Sequence, residues 1–286
     1  MKAQKFTTKR LVLLICLLVN AGSAFAYNFY ETGNPDKPYN KWGPDAPGTG
    51  ATITWSFIPA GTPGSIFCGA TCDFGSSTDQ LYMYSDPDLG IGDLVSLASL
   101  KPSIENAFNT WASVANLTFI YNPTDSGAAI NDPGATPPAT GHIRIGAFAD
   151  GIYGAVGYAP PPNGGTGEGD ILFNSSFYFQ NTNNAEGTLL NTTYAPNDFS
   201  GLFLHELGHA LGINHSSDTS AVMCGIPPAS TCDYSHINRI LEADDIAAIQ
   251  TLYGAPVPLP ASFWLLSSGL LAVFGKRHRR FLANSN

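Results

Sequence analysis

Residues 205–215 read His-Glu-Leu-Gly-His-Ala-Leu-Gly-Ile-Asn-His. His205 and His209 are four positions apart, so on a helix their imidazoles leave the same face one turn apart. Two rings so placed can bind one zinc ion. Gly212 lets the helix end in a conformation costly to other residues. The chain can then turn so that His215 offers a third nitrogen. Three protein ligands leave one tetrahedral position open, the mark of a catalytic rather than a structural zinc site. Glu206 stands beside the first ligand and is free to take a proton from water activated by the metal. The chemistry implied is hydrolysis without a covalent enzyme intermediate. A buried helix with incidental histidines is the competing reading, and it leaves five fixed positions to coincidence.

A helix must carry these groups, and Asp198 is a candidate N-cap for one running to about Leu211. Ala51–Ile58 alternates and is β-branched, as a strand requires, and residues 117–121 and 142–148 read as further strands. Leu97, Leu100, Ile104, Phe108, Trp111 and Val114 recur at helical spacing. A last helix spans about Ala243–Leu252, opened by Asp244 and Asp245, where negative charge suits a helix N-terminus. Residues 31–50 read as an extended lead-in, 61–90 as a loop-rich insertion, and 150–172 as a Gly/Pro-rich stretch broken by a short apolar segment. Strands grouped early and helices late predict an α+β domain.

Both ends read as addresses. Lys2, Lys5, Lys9 and Arg10 precede a short apolar run and Ala24-Phe25-Ala26, which predicts a secretory signal peptide at 1–26, cleaved after Ala26. Residues 256–286 combine a proline-rich hinge, an apolar stretch and the basic cluster Lys276, Arg277, Arg279 and Arg280. Such an order predicts a C-terminus held in a membrane with its basic end on the cytoplasmic side. Between these ends lie a lead-in at 27–50 and one domain at 51–255. Residues 27–255 hold five Lys and Arg against all 22 Asp and Glu. A surface that acidic repels nucleic acid and anionic lipid and suits calcium-binding or simple solubility. Cys68, Cys72, Cys224 and Cys232 remain after export, and their spacings favour bridges Cys68–Cys72 and Cys224–Cys232. A four-cysteine zinc site is the rival, disfavoured in an oxidising compartment.

The eleven-residue motif resembles the metzincin signature HExxHxxGxxH, and Ser216 after the third His is similar to the matrixin (matrix metalloprotease-like) branch. Ser220-Ala221-Val222-Met223 resembles the Met-turn of that group, in which Met223 would lie beneath the metal. Residues 103–119 and 241–254 resemble the first helix with its following strand, and the last helix, of matrixin catalytic domains. The resemblance covers about residues 50–254. It implies a zincin-like fold: a twisted mixed β-sheet, an active-site helix and a C-terminal helix. It also implies a zinc-dependent endopeptidase with Glu206 catalytic, zinc on His205, His209 and His215, and an extended protein or peptide substrate on an edge strand. The segment Tyr153–Tyr158 is the candidate edge, and residues 216–240 the specificity wall. In such domains a pair like Asp244 and Asp245 holds the Met-turn and the mature N-terminus. The tail resembles PEP-CTERM sorting signals in their VPLPA form, Val257-Pro258-Leu259-Pro260-Ala261. That implies an exosortase-type processing partner, transient membrane association, and a secreted or surface location in an exopolysaccharide-producing Gram-negative bacterium.

The chain departs from animal matrixins at Gly157 and Leu172, where imidazoles of a second, structural zinc are expected, so one zinc is predicted. Asp150, Glu168 and Asp170 are candidate calcium donors or plain loop acids. Residues 27–50 hold no Cys, so no thiol-switch propeptide is expected, and Cys224-Gly225-Ile226-Pro227 follows the Met-turn instead. His142 and His236 read as structural or exposed rather than as ligands. A non-catalytic metal-binding surface or biofilm-matrix protein on the same scaffold is the alternative function. Glu206 discriminates, because a pure scaffold has no need of it.

Overall fold

The computed structural model describes residues 26–64, 75–86, 89–149, 154–162, 167–181, 197–225, 232 and 238–257. In chain order the strands begin with β1 (Asn28–Phe29), β2 (Glu31–Asn34), β3 (Lys37–Tyr39) and β4 (Ala51–Phe57). Then come β5 (Ser77–Thr78), β6 (Gln80–Asp86) and β7 (Ile91–Ser96), and after a 3-10 turn the helix α1 (Lys101–Val114). Strands β8 (Leu117–Tyr121), β9 (Ile143–Phe148), β10 (Ala155–Gly157), β11 (Ile171–Asn174), β12 (Tyr178–Gln180) and β13 (Asn197–Asp198) follow. Helix α2 (Phe199–Ala210), strand β14 (Ile213–Asn214) and helix α3 (Ala243–Tyr253) complete the described elements.

The main sheet has the order β10-β11-β9-β4-β8, with β5 added on β9. Strands β11, β9, β4 and β8 run parallel, while β10 is antiparallel to β11 and forms the outer edge. Every residue of β9 is buried, as a central strand covered on both faces must be. On β4 the buried Ile53 and Trp55 lie two apart, on one face of the sheet. Helix α1 starts with Pro in its first turn, where no intrahelical N–H is lost. Its buried Ile104, Ala107, Phe108 and Trp111 make one apolar stripe. Phe108 stacks on Trp55 at 5.0 Å and meets Phe119 at 4.7 Å and Phe203 of α2 at 5.8 Å, so sheet, α1 and α2 share one aromatic core. The fold is α+β with a mixed sheet, as the sequence implies.

Helix α2 is placed by its ends and its buried face. Asp198 caps it, accepting the Gly201 amide at 2.9 Å. Phe199, Phe203, Leu204 and Leu207 are buried, and the Trp111 indole N–H donates to the Leu204 carbonyl at 3.1 Å. Helix α3 closes the domain through a capping box between Glu242 and Asp245.

Three readings change. The region 61–90 is not all loop: β6 pairs antiparallel with β7 and parallel with β12. Leu81 and Met83 alternate into the core there, a pattern set within Ser, Asp and Gly that otherwise favour turns. The lead-in is not merely extended, since β2 and β3 form a hairpin and β1 pairs with β14. Strands also continue to residue 214, with α1 and α2 between them, so they are not confined to the first half. Among the described residues no helix is long and apolar enough to cross a membrane. Of the expected signal peptide 1–26, residues 1–25 lie outside the described residues, as does the tail from 258 onward.

Candidate metal centre

The last turns of α2 and the chain after it bring His205, His209 and His215 together, with their ligand atoms within 4.8 Å of one another. His209 Nε2 and His215 Nε2 stand 3.2 Å apart. Two nitrogens bound tetrahedrally to one zinc at 2.0–2.1 Å would stand about 3.3 Å apart. In two of the rings the other nitrogen is committed: His205 Nδ1 donates to the Val222 carbonyl at 2.7 Å and His209 Nδ1 to the Ile213 carbonyl at 2.8 Å. These bonds fix the hydrogen on Nδ1 and turn the Nε2 lone pairs inward, the tautomer a metal needs. Burial, and then the neighbouring His205 and His215, hold His209 well below the usual imidazole range. Burial and His205 lower His215 to about 4. His205 is lowered by burial too, against the opposing pull of the Val222 carbonyl. All three rings are therefore neutral near pH 7, and the donor set fits zinc.

The turn after α2 depends on Gly212, whose φ is +101°. A side chain there would be strained, and a Cβ would also collide with the Asn40 carbonyl. Glu206 points from the same helix and is buried. Burial pushes its carboxyl up to about 7, opposed by a hydrogen bond from the backbone of Gly157 on β10. Edge strand and candidate base are thus joined directly. Tyr153 at the start of the candidate substrate edge lies outside the described residues, while β10 forms the sheet margin and packs on α2.

Residues 216–225 form a tight turn beside His205 and His215. Ser216 N–H donates to the Met223 carbonyl at 2.7 Å, and Gly225 N–H to the Ser216 carbonyl at 3.1 Å. Met223 is fully buried. Its sulfur occupies the space that a Cβ at Gly208 would need, so the glycine inside the His-Glu-Leu-Gly-His run makes room for this methionine. Asp245 accepts the amides of Val222, Met223 and Glu242 at 2.9, 3.1 and 3.0 Å. Asp244 accepts the Ser216 hydroxyl at 2.6 Å and the Ala26 amide at 2.6 Å. The acidic pair at the start of α3 therefore holds the turn and, while Ala26 is still attached, the N-terminal segment. Cys224 and Cys232 are bridged. Cys68, Cys72, His236 and Asp150 lie outside the described residues.

Elsewhere the site residues separate. His142 binds Thr54 through its backbone amide and its hydroxyl at 3.1 and 2.8 Å, in a structural role. Leu172 is buried in a small apolar cluster with Ile58, Ile130, Phe148 and Tyr158. Among the described residues the three histidines are the only grouping of three metal-type donors. Asp170 is fully buried, and its Oδ1 accepts the Arg144 amide at 3.0 Å while Oδ2 has no hydrogen-bond partner. Burial pushes Asp170 up to about 8, opposed by the Arg144 charge. Arg144 itself is fully buried and grips Asp125 through Nε and Nη2 at 2.9 and 2.8 Å. Sequence reasoning missed this cluster, although a lone Arg inside the apolar strand HIRIGAF is a signal for a buried partner. It also missed Tyr30, whose hydroxyl lies 3.3 Å from His209 Nδ1.

The matrixin family model matches residues 92–254. Macrophage metalloelastase of Oryctolagus cuniculus is 34% identical over 155 residues, which cover 54% of this chain and 29% of that protein. Matrix metalloproteinase-16 of Homo sapiens is 32% identical over 163 residues, 56% of this chain and 24% of that protein. Karilysin of Tannerella forsythia is 33% identical over 158 residues, 54% of this chain and 28% of that protein. The chain thus spans less than a third of the length of these relatives.

Proposed function

This chain belongs to the matrixin family, and from that premise we propose that it is a zinc-dependent endopeptidase acting on extracellular proteins or peptides. The observation that carries the reading is the convergence of three neutral imidazoles beside Glu206, itself tied to the sheet edge through Gly157. His205, His209 and His215 would hold one zinc. Bound there, the ion supplies Lewis acidity and lowers the pKa of water.

The chain's own residues do the rest. Strand β10, the margin of the main sheet among the described residues, is the edge along which an extended substrate would pair. Glu206 takes the proton of the attacking water as the carbon–oxygen bond forms, and gives it to the amine nitrogen as the carbon–nitrogen bond then breaks. The buried position of Glu206 raises its proton affinity to the range such a shuttle requires. Asp245, Ser216 and Met223 keep the floor of the site fixed while this happens. Cleavage of an internally quenched peptide, lost with a zinc chelator and restored by added zinc, is the expected test result. Undiminished cleavage after verified zinc removal would sink the proposal.

The finer reading extends to location. Residues 1–26 are proposed as a cleaved signal, 27–50 as a lead-in, 51–255 as the catalytic domain and 256–286 as a PEP-CTERM-type sorting tail. An exosortase-type enzyme would process that tail at a Gram-negative membrane, leaving the enzyme secreted or surface-associated. Calcium at Asp150, Glu168 and Asp170 is supported only by the unpartnered Asp170 Oδ2, and a melting temperature unmoved by calcium would remove it. The non-catalytic scaffold reading draws on the tail alone and predicts zinc binding without cleavage.

A further inference from the structure

We infer that Tyr30 is a positioning residue for the metal centre, its hydroxyl acting on His209 from an N-terminal strap that crosses the ligand loop. The inference rests on the zinc reading of the three histidines. Tyr30 lies outside the stretch matched to the family, residues 92–254.

The strap is built from several independent contacts. Asn28 and Phe29 pair antiparallel with Asn214 and Ile213, between the second and third candidate ligands. Tyr30 N–H donates to the Gly212 carbonyl at 3.4 Å, and Asn40 N–H to the Tyr30 carbonyl at 2.9 Å. The Asn28 side-chain amide donates to the His215 carbonyl at 3.2 Å. Phe29 packs between Tyr27 and Tyr39, with ring centroids at 5.1 and 4.6 Å. The backbone of Tyr30 is thereby fixed on both sides, and its ring meets that of His209 edge-on at 5.9 Å.

The chemistry follows from the tautomer. Metal on Nε2 leaves the hydrogen of His209 on Nδ1, so Tyr30 cannot donate to that nitrogen. The Nδ1–H instead points to two acceptors, the Ile213 carbonyl at 2.8 Å and Tyr30 Oη at 3.3 Å. A second oxygen on this N–H restrains ring rotation and raises the basicity of Nε2, the usual effect of outer partners on a metal-binding imidazole. The same phenol keeps its own hydrogen for another partner.

The test is the zinc affinity of the full chain, wild type against Tyr30→Phe, read by competition with a chromophoric chelator. The visible spectrum of the cobalt-substituted protein is recorded beside it. Tyr30→Phe keeps the ring on His209 and removes only the oxygen. The affinity is expected to fall roughly tenfold, with a shifted cobalt spectrum and an unchanged unfolding midpoint for the metal-free protein. Asn28→Leu, which cuts the bond to the His215 carbonyl, should lower affinity by a smaller factor. Equal zinc affinity and superimposable cobalt spectra in wild type and Tyr30→Phe would overturn the inference, whatever happens to the metal-free midpoint. Because these readouts need no substrate, absence of peptide cleavage would count against the peptidase reading alone. A wild type that binds no zinc would remove the metal reading and this inference with it.

Discussion

The carboxylate of Asp245, at the start of α3, accepts the backbone amide of Met223, whose sulfur packs against Gly208 of α2, at 3.1 Å. It accepts the amides of Val222 and Glu242 as well. One buried side chain thus ties the last helix to the floor of the site. Asp245→Ala would leave three donors without their acceptor, two of them in the turn. The expected loss is about 3 kcal/mol of stability, measured by urea unfolding of the metal-free protein. A loss below about 0.5 kcal/mol would show that the turn holds itself.

Gly208 and Met223 make a second, tighter test. A methyl group at 208 collides with the Met223 sulfur. Gly208→Ala gains helix propensity on α2, about 1 kcal/mol, yet overpacking of this kind costs about 1–3 kcal/mol. The account expects net destabilisation together with weaker zinc binding, because the displaced methionine moves the turn that carries the Val222 carbonyl. A stabilised variant with unchanged zinc affinity would mean that Met223 can move aside freely.

Asp170 gives a pH dependence of definite sign. Its folded pKa is raised to about 8, first by burial, above the ordinary carboxyl value of about 3.9. The folded state therefore binds the proton more tightly than the unfolded chain does. The contribution is fully present below about pH 4 and is lost as the pH rises through about 8. The histidines titrate the other way, so the clean quantity is a difference between variants. Asp170→Asn should gain stability relative to wild type between pH 5 and pH 8, by urea unfolding at each pH. A difference that is flat across that range would contradict the assignment.

The Arg144–Asp125 pair is fully buried and bidentate. Removing one member strands a charge, so Asp125→Ala should cost about 3–5 kcal/mol. Arg144→Met with Asp125→Leu should recover most of that loss, since an apolar pair of similar volume avoids the desolvation of both ions. Chemical denaturation of the two variants decides it. A double variant as unstable as the single one would show that the cluster does more than neutralise itself.

What could be read from the chain was what is local. The spacing of His205, His209 and His215, the cap at Asp198 and the acidic start of α3 are all set within a few residues, and each stands where local chemistry puts it. Tyr30 was not legible because it meets His209 across 179 positions of sequence, through a two-residue pairing too short to leave a periodic trace. Strand β6 was hidden because its buried Leu81 and Met83 alternate with tyrosines among turn-forming residues. The burial of Arg144 was not legible either, since its partner Asp125 comes from a loop rather than a neighbouring turn.

The most direct measurement concerns Glu206, which could be lost without disturbing the three imidazoles. Glu206→Ala should retain one zinc per chain, by metal analysis of the purified protein. Its kcat/KM on a quenched peptide that wild type cleaves should fall by a factor of roughly 100 to 10,000. Retained zinc with lost cleavage is the predicted result. Cleavage by Glu206→Ala at the wild-type rate, with zinc in place, would contradict the assignment of the proton shuttle to this residue and with it the central claim.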